Sequence, residues 1–440
     1  MAQAVVAKPS RRTRWSWYFY DFGNSAYAAI ILLAVFSTYF SNVVVGGVNG
    51  PTLWNYAVGI AAIIVAIISP IIGTIADFSR AKKKFLVIFT AMSVVFTSLL
   101  FFVQEGDIFL AMLFFILAEI GYRASQVFYD ALLVDVSTPE TIGSVSGTGW
   151  ALGMLGGIVC LGIVLVPIQM VGGTLMVRIA FLITGLFYAI SSIPTVLWVK
   201  QVNEPEPIPE GETTLSLAFK KLGATFKAIK NFREFIKYTI SFLIYNDGIM
   251  MLMDNAALIG GILFGFKTEQ LIILIIILHV TGAIGAYLFG VISNRFSSKE
   301  SLVYALLMLI AVICVLFFIK SIPAFYVIGG LAGFSLSGVQ AVSRTMVSQL
   351  SPTDKTAEFY GFLSVAGRTS TFIGPVVFGS LYGGMANWYL KQGFAEAAAK
   401  SYGILWGIGS ILAFLVIGLI FLLRVKKVTH RNPLKFDGTD

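Results

Sequence analysis

The sequence predicts an all-α membrane protein: twelve transmembrane helices in two pseudo-symmetric six-helix bundles. Composition gives the class. Hydrophobic residues make up 57% of the 440 and charged residues 12%, against roughly a quarter charged in soluble domains, and mean hydropathy is +0.86. Run length gives the elements, because a helix needs about 20 apolar residues to cross roughly 30 Å of hydrocarbon. Such runs fall at 17–45, 53–76, 85–103, 108–133, 145–168 and 177–199, then at 238–265, 270–293, 301–319, 322–349, 357–384 and 402–423. The third observation is that the second six repeat the plan of the first.

Polar and ionisable residues concentrate in the first, fourth, seventh and tenth runs, whereas the third, sixth, ninth and twelfth are apolar through their interiors. An ionisable group at the bilayer centre costs roughly 2.5 to 3.5 kcal/mol on insertion scales, so helices that carry them are expected to surround a wet, protein-walled cavity. The first run offers Asp21, Asn24, Ser25 and Tyr27. Asn24 and Tyr27 lie deeper and suit hydrogen bonding to a solute; Asp21, near the end, either pairs with a loop cation or takes part in transport. On the fourth run Glu119, Arg123, Gln126 and Asp130 share one stripe at 3.6 residues per turn. Glu119 and Arg123 stand at i, i+4, where opposite charges meet. They form either a neutralised structural pair or a site in which Arg123 holds an anionic group or sets the proton affinity of Glu119 or Asp130.

In the fifth run Gly149, Gly153 and Gly157 form a ladder suited to close helix contact. The seventh run carries Asp247 and Asp254 on one face, with Asn246 and Asn255 beside them and no basic residue in its interior. A carboxylate without a cation on its own helix is suited to take up and release a proton, which makes Asp247 the first candidate for coupling; the alternative is that it accepts backbone hydrogen bonds around Gly248. Asp254 is expected nearer a solvated rim. His279 in the eighth run is either a proton relay or a plain interhelical hydrogen bond. Gln340 and Arg344 in the tenth and Arg368 in the eleventh, with Ser364 and Thr371 on its face, bring two permanent charges that could bind a carboxylate or phosphate, or neutralise Asp247. Cys160 and Cys314 lack partners at ligand spacing and read as packing residues.

Most of the 31 basic residues fall on one side of this scheme, among them Arg11, Arg12, Arg14, Lys82, Lys83, Lys84, Arg424, Lys426 and Lys427. The loops of the other side hold Lys267, Lys320, Lys391 and Lys400. That asymmetry places both termini in the cytoplasm of a cell-membrane protein. The net charge of +9 is thus a topology signal, and nucleic-acid binding is not expected, since no basic stretch is interleaved with aromatics on a separate domain. Ser10-Arg11-Arg12 resembles a twin-arginine signal, but the run after it is too long for a cleaved leader and is expected to stay as the first helix.

The expected domains are an N-terminal bundle at 1–199, a cytoplasmic linker at 200–237, a C-terminal bundle at 238–424 and a tail at 425–440. The linker opens with the acidic, Pro-rich stretch 204–211. Leu215, Phe219, Leu222, Phe226, Ile229 and Ile236 then recur at helical spacing among lysines, as either a basic amphipathic helix on the leaflet or an extension of the seventh run.

The halves echo each other. Gly73-Thr-Ile-Ala-Asp77-Phe-Ser-Arg80 follows the second run and Gly290-Val-Ile-Ser-Asn294-Arg295 the eighth, 217 positions on. Ser137-Thr138-Pro139-Glu140 and Ser351-Pro352-Thr353-Asp354 follow the fourth and tenth, with their prolines 213 positions apart. Such duplication is the architecture of many secondary transporters. The Gly73 and Gly290 segments resemble the gating-loop signature of the major facilitator superfamily. Tyr20-Asp21-Phe22-Gly23-Asn24-Ser25-Ala26-Tyr27, Phe128-Tyr129-Asp130-Ala131, Tyr245-Asn246-Asp247-Gly248, Gly338 to Arg344, and Phe359-Tyr360-Gly361 through Gly374-Pro375 resemble its vacuole-effluxer-like branch. The resemblance implies two six-helix bundles, helices one, four, seven and ten around a central cavity, alternating access, and an amino-acid-like solute with efflux favoured. Phe78 and Asn294 depart from the loop signature, where the superfamily has an arginine and an acid, and Asp130 stands where an asparagine is expected.

The chain contains no Gly-Lys dipeptide and so no phosphate loop of the Walker type, which leaves an ion gradient or no coupling at all. A membrane enzyme is not expected: there are two histidines, no Cys cluster and no Gly-x-Ser-x-Gly elbow. No cofactor or metal is called for. The expected function is secondary active transport of a small polar solute, coupled to protons, by a monomer. A facilitative uniporter or exchanger, or a solute sensor on the same fold, remain the alternatives.

Overall fold

The structure is a computed structural model and describes residues 10–79, 81–137, 142–201, 216, 220, 232–295, 297–350, 363, 367 and 372–426. The described residues are overwhelmingly helical. Eleven of the helices are long and apolar enough to cross a membrane, as the hydropathy runs require. In chain order they are α1 (Arg11–Val45), α2 (Asn49–Ser79), α3 (Lys82–Leu99), α4 (Ile108–Ala131), α5 (Ile142–Val171), α6 (Gly173–Trp198), α7 (Arg233–Phe264), α8 (Thr268–Arg295), α9 (Ser298–Leu316), α10 (Ile322–Leu350), α11 (Ile373–Lys391) and α12 (Glu396–Leu423). All but α11 meet the spanning criterion, and much of the run expected at 357–384 lies outside the described residues.

Local chemistry explains the ends. Ser10 caps α1, its hydroxyl accepting from the Thr13 N–H at 3.1 Å. Gly265 ends α7 in the left-handed region (φ 64°), so that Gly265 N–H reaches Gly261 O at 3.0 Å and Phe266 N–H reaches Gly260 O at 3.3 Å; a side chain there would be strained. Within α1 the winding loosens into π-helix at Ala28–Ala34 and again at Phe40–Val45. Val35 N–H bonds Ile30 O at 2.9 Å, five residues back. Long π stretches are rare and concentrate at functional sites. The first begins directly after Tyr27.

The chain forms two compact units, residues 1–45 with 60–218, and 46–59 with 219–440. The segment 46–59, expected in the first bundle, packs with the second unit, so α2 is divided between the two. In the first unit α1 packs on α5 and α6, and α3 on α4 and α6. In the second, α7 packs on α11 and α12, and α9 on α10 and α12. The same pairings, six helices on, are the structural counterpart of the sequence echoes.

Small residues permit these contacts. A Cβ on Gly156 of α5 would collide with the Phe22 carbonyl oxygen of α1, and one on Gly285 of α8 with the Phe334 oxygen of α10. The expected ladder in α5 holds at Gly149 and Gly153, which face Trp17 and Asp21, and Gly156 adds a further close contact. Cys160 and Cys314 are free thiols in the packing, as expected.

One sequence expectation is corrected. Gly73 and Asp77 lie inside α2, and Gly290, Asn294 and Arg295 inside α8; the helices run on through what the signature suggested were loops, since apart from the glycines nothing there breaks a helix. Arg80 and most of 202–231, including the amphipathic pattern from Leu215 to Ile229, lie outside the described residues. What is described of that pattern's end belongs to α7, which starts at Arg233.

Candidate functional site

In the first unit the polar stripe of α4 runs from buried to exposed. Glu119 is 0% exposed, Arg123 and Gln126 are intermediate, and Asp130 is exposed. Arg123 Nε donates to Glu119 Oε1, as the i, i+4 spacing predicted. The second carboxylate oxygen, Oε2, is buried without a hydrogen-bond partner among the described residues. Tyr27 of α1 lies within electrostatic reach of Glu119 and Arg123, and its ring stacks on Tyr122 with centroids 4.5 Å apart. The buried Tyr27 hydroxyl is directed at Glu119, and the side-chain nitrogen of Asn24 is buried without a partner among the described residues. Buried polar atoms are normally satisfied, so this group of buried polar atoms on two adjacent helices, with the Asn24 nitrogen unpartnered among the described residues, marks a place built for something other than packing. Asp21 packs against Gly153 and lies within reach of Tyr122, Tyr129 and Tyr188, inside the bundle rather than only toward a loop.

Beside this cluster runs a directed chain of hydroxyls absent from the sequence reading. Ser125 donates its proton to Tyr122 O at 2.8 Å. It must therefore accept from Tyr188 at 3.1 Å, which accepts from Tyr20 at 2.8 Å, which accepts from Thr90 at 2.7 Å. One proton per hydroxyl fixes the direction. The chain ties α1, α3, α4 and α6. Trp17 joins it by stacking on Tyr129 (4.2 Å between centroids, 8° between planes) and donating from Nε1 to Tyr129 O at 3.1 Å.

The second unit repeats the device. Ser343 of α10 donates to Val339 O at 2.6 Å and so accepts from Tyr245 of α7 at 2.7 Å; Tyr238 donates to Ser343 O at 2.7 Å. Tyr20 and Tyr245 each stand three residues before a glycine on the same helix. Gly23 lies against Ser191 of α6 and Gly248 against Phe414 of α12. Next to Tyr245, Asn246 Oδ1 accepts from Gln340 Nε2 of α10 at 3.4 Å, so two of the expected solute-binding residues meet. Asp247 is 2% exposed and has an interaction partner in the fold. Asp254 is 6% exposed, not at a solvated rim, because the first turns of α2 cover it: Trp54 Nε1 donates to Asp254 O at 3.1 Å. Arg344 is exposed at its end of α10 and has interaction partners. Arg368, Ser364 and Thr371 lie outside the described residues.

The α2 segment also carries a contact the sequence reading missed. Asn55 and Asn255 exchange side-chain amide hydrogen bonds at 2.8 and 3.1 Å. Asn55, an amide in an otherwise apolar stretch, was the available signal. His279 bonds Ile275 O through Nδ1 at 2.8 Å, which is a backbone contact within its own helix and not one between helices. No cluster of three or more His, Cys, Asp or Glu suited to a metal occurs among the described residues.

A profile of the family described as vacuole effluxer Atg22 like matches residues 9–141 and 135–387. The chain is 27% identical over 432 residues to the uncharacterized MFS-type transporter YxiO of Bacillus subtilis (strain 168), covering 95% of both chains. It is 20% identical over 411 residues to autophagy-related protein 22 of Coccidioides immitis (strain RS), covering 76% of this chain and 68% of that one. Among solved structures, a point mutant of the nucleoside transporter NupG superposes with a TM-score of 0.68 at 12% identity, over 94% of this chain and 98% of that one, which shows a shared fold.

Proposed function

The chain belongs to the vacuole effluxer Atg22-like family and is a membrane transporter of the MFS type, not an enzyme; from that premise we propose that it is a secondary carrier that exports a small polar solute by alternating access, with protons as the coupled ion. The observation that carries this reading is the pair of buried carboxylates Glu119 and Asp247, 0% and 2% exposed. Glu119 shares its unit with Asn24, Tyr27, Arg123 and Gln126, and Asp247 shares its unit with Asn246, Gln340 and Arg344. Ionisable side chains within membrane helices mark solute paths and proton relays. Glu119 and Asp247 carry the coupling, with Asp21 and Asp130 nearer the ends of their helices. Alternating access is supported by α2, whose first turns belong to one unit and the remainder to the other. The basic residues place both termini in the cytoplasm, and one chain acts as a monomer. The solute is amino-acid-like, in keeping with the family resemblance.

The test is a thermal-stabilisation screen of the purified protein against amino acids, nucleosides and sugars, since a ligand that favours the folded carrier raises its melting temperature. Each ligand found is then followed in proteoliposomes under an imposed pH gradient. Flux should follow the gradient, and Asp247→Asn should abolish gradient-driven flux while sparing part of the exchange. Flux indifferent to the gradient would instead identify a uniporter or exchanger, and binding without flux a sensor.

A further inference from the structure

We infer that the corner of the first unit where α1 and α3 begin and α6 ends binds the phosphate of an anionic phospholipid, through Arg12, Lys83 and Lys200. The inference concerns the leaflet around the protein and stands apart from the solute and its coupling.

Three helices bring the cations together. The Arg12 guanidinium of α1 stacks over the Trp198 ring at the end of α6, 3.9 Å from its centroid. Lys83 N–H, in the first turn of α3, donates to Gln201 Oε1 at 3.4 Å, just past that end, and the Lys83 side chain lies within electrostatic reach of Lys200. The first turns of α1 and α3 contain no acid, and no ion pair among the described residues involves Arg12, Lys83 or Lys200. Like charges gathered at helix starts repel one another and oppose the helix dipole. The arrangement lowers stability unless an anion is shared among them.

The second unit supplies the comparison, because the duplication gives it the same corner six helices on. There the cations serve the protein itself. Lys299 of α9 donates to the Leu423 and Val425 carbonyl oxygens that end α12. Glu234 of α7 accepts from Lys237 Nζ at 2.7 Å and from Lys426 N–H at 2.6 Å. The first turns of α7 and α9 each carry an acid, Glu234 and Glu300. One plan thus exists in a version closed by internal acids and in a version that omits them.

What takes the place of those acids is anionic, and the neighbours put it at the membrane surface. Trp15 and Phe19 follow Arg12 at i+3 and i+7 on one face of α1. Both are exposed, as is Trp198, in the manner of rings that lie at headgroup level in a bilayer. A guanidinium stacked on a ring keeps N–H donors in its own plane for two phosphate oxygens, and the lysines add point charges. A phospholipid matches both parts of the corner: its phosphate meets the cations and its acyl chains meet the exposed rings. The excess of positive charge selects an anionic headgroup over a zwitterionic one.

The experiment titrates the purified full chain, in an uncharged detergent, with short-chain phosphatidylglycerol, short-chain phosphatidylcholine and inorganic phosphate. Thermal midpoint and lipid retained in native mass spectrometry are the readouts. Phosphatidylglycerol should raise the midpoint and stay bound, phosphatidylcholine should do so far less, and added salt should weaken the effect. The triple variant Arg12→Gln, Lys83→Gln, Lys200→Gln should lose about tenfold or more in affinity for phosphatidylglycerol, since each cation beside an anionic lipid is worth about fivefold. Its lipid-free midpoint should hold or rise, because the repelling charges are gone. A second triple, Lys267→Gln, Lys320→Gln, Lys391→Gln, removes the same charge elsewhere and should bind as the wild type does. Equal responses of the wild type to the two lipids, which are read whether or not the variants fold, would overturn the inference. So would an unchanged affinity in the first triple, or equal losses in both. Stabilisation by inorganic phosphate as large as that by phosphatidylglycerol would overturn the lipid assignment.

Discussion

Asn55 and Asn255 each donate an amide N–H to the other's carbonyl oxygen, at 2.8 and 3.1 Å, with both side chains 0% exposed. The pair is seated by neighbours: Gly379 and Gly383 of α11 leave room for Asn55 and Thr52, and a Cβ on either glycine would press into them. An amide pair joined in this way is strong when closed and leaves two polar groups to be hydrated when open.

If the first turns of α2 must leave the second unit during transport, tying them down stops the cycle. Cross-linking an Asn55→Cys, Asn255→Cys double variant with a short bifunctional thiol reagent should abolish solute flux in proteoliposomes, and reduction should restore it. Full flux after complete cross-linking would show that this contact persists throughout transport.

Replacing one amide strands the other. Asn55→Leu should destabilise the protein by about 1–3 kcal/mol, while the double variant Asn55→Leu, Asn255→Leu should cost less than the two single changes added together. Denaturant unfolding of the four proteins completes the cycle.

The ion pair of α4 should behave in the same sense and more strongly. Arg123→Ala leaves Glu119 buried and uncompensated, a loss of about 3–5 kcal/mol. Adding Glu119→Gln to Arg123→Gln should recover much of the stability lost by Arg123→Gln alone, as thermal midpoints would record, without restoring binding.

Gly156→Ala should prevent the protein from accumulating in the membrane, since the new methyl group would run into a backbone oxygen that cannot yield. Gly162→Ala in the same helix meets nothing within 4 Å and should be neutral or slightly stabilising. Yield and thermal midpoint of the two variants provide the comparison.

The hydroxyl braces predict matched effects in the two units. Tyr245→Phe strands the Ser343 acceptor and Tyr20→Phe interrupts the chain from Thr90 to Ser125. Each should cost about 0.5–1.5 kcal/mol, and because the hydrogen bonds lie in different units the losses should add.

Much of the fold was legible along the chain because its causes are local. A window of about 20 apolar residues identifies a span, and a 3.6-residue period puts Glu119 beside Arg123 and aligns the stripe toward Asp130. What misled was also local: the Gly73 and Gly290 segments carry a loop-like signature, yet their neighbours continue the helix. Asp254 was expected at a rim because nothing in α7 indicates that Trp54, 200 positions away, covers it.

Sequence by itself determined the class, the order of the helices, the duplication and the choice of helices that carry charge, since each depends on hydropathy and spacing within a run or on comparing one run with another. The tertiary structure decided which polar groups meet: Tyr27 with Glu119, Tyr245 with Ser343, Asn55 with Asn255. It also decided which buried atoms are left without a partner. A hydrogen bond depends on the distance between helices in space, and that distance is fixed only when glycine contacts and stacked rings set how closely the helices approach.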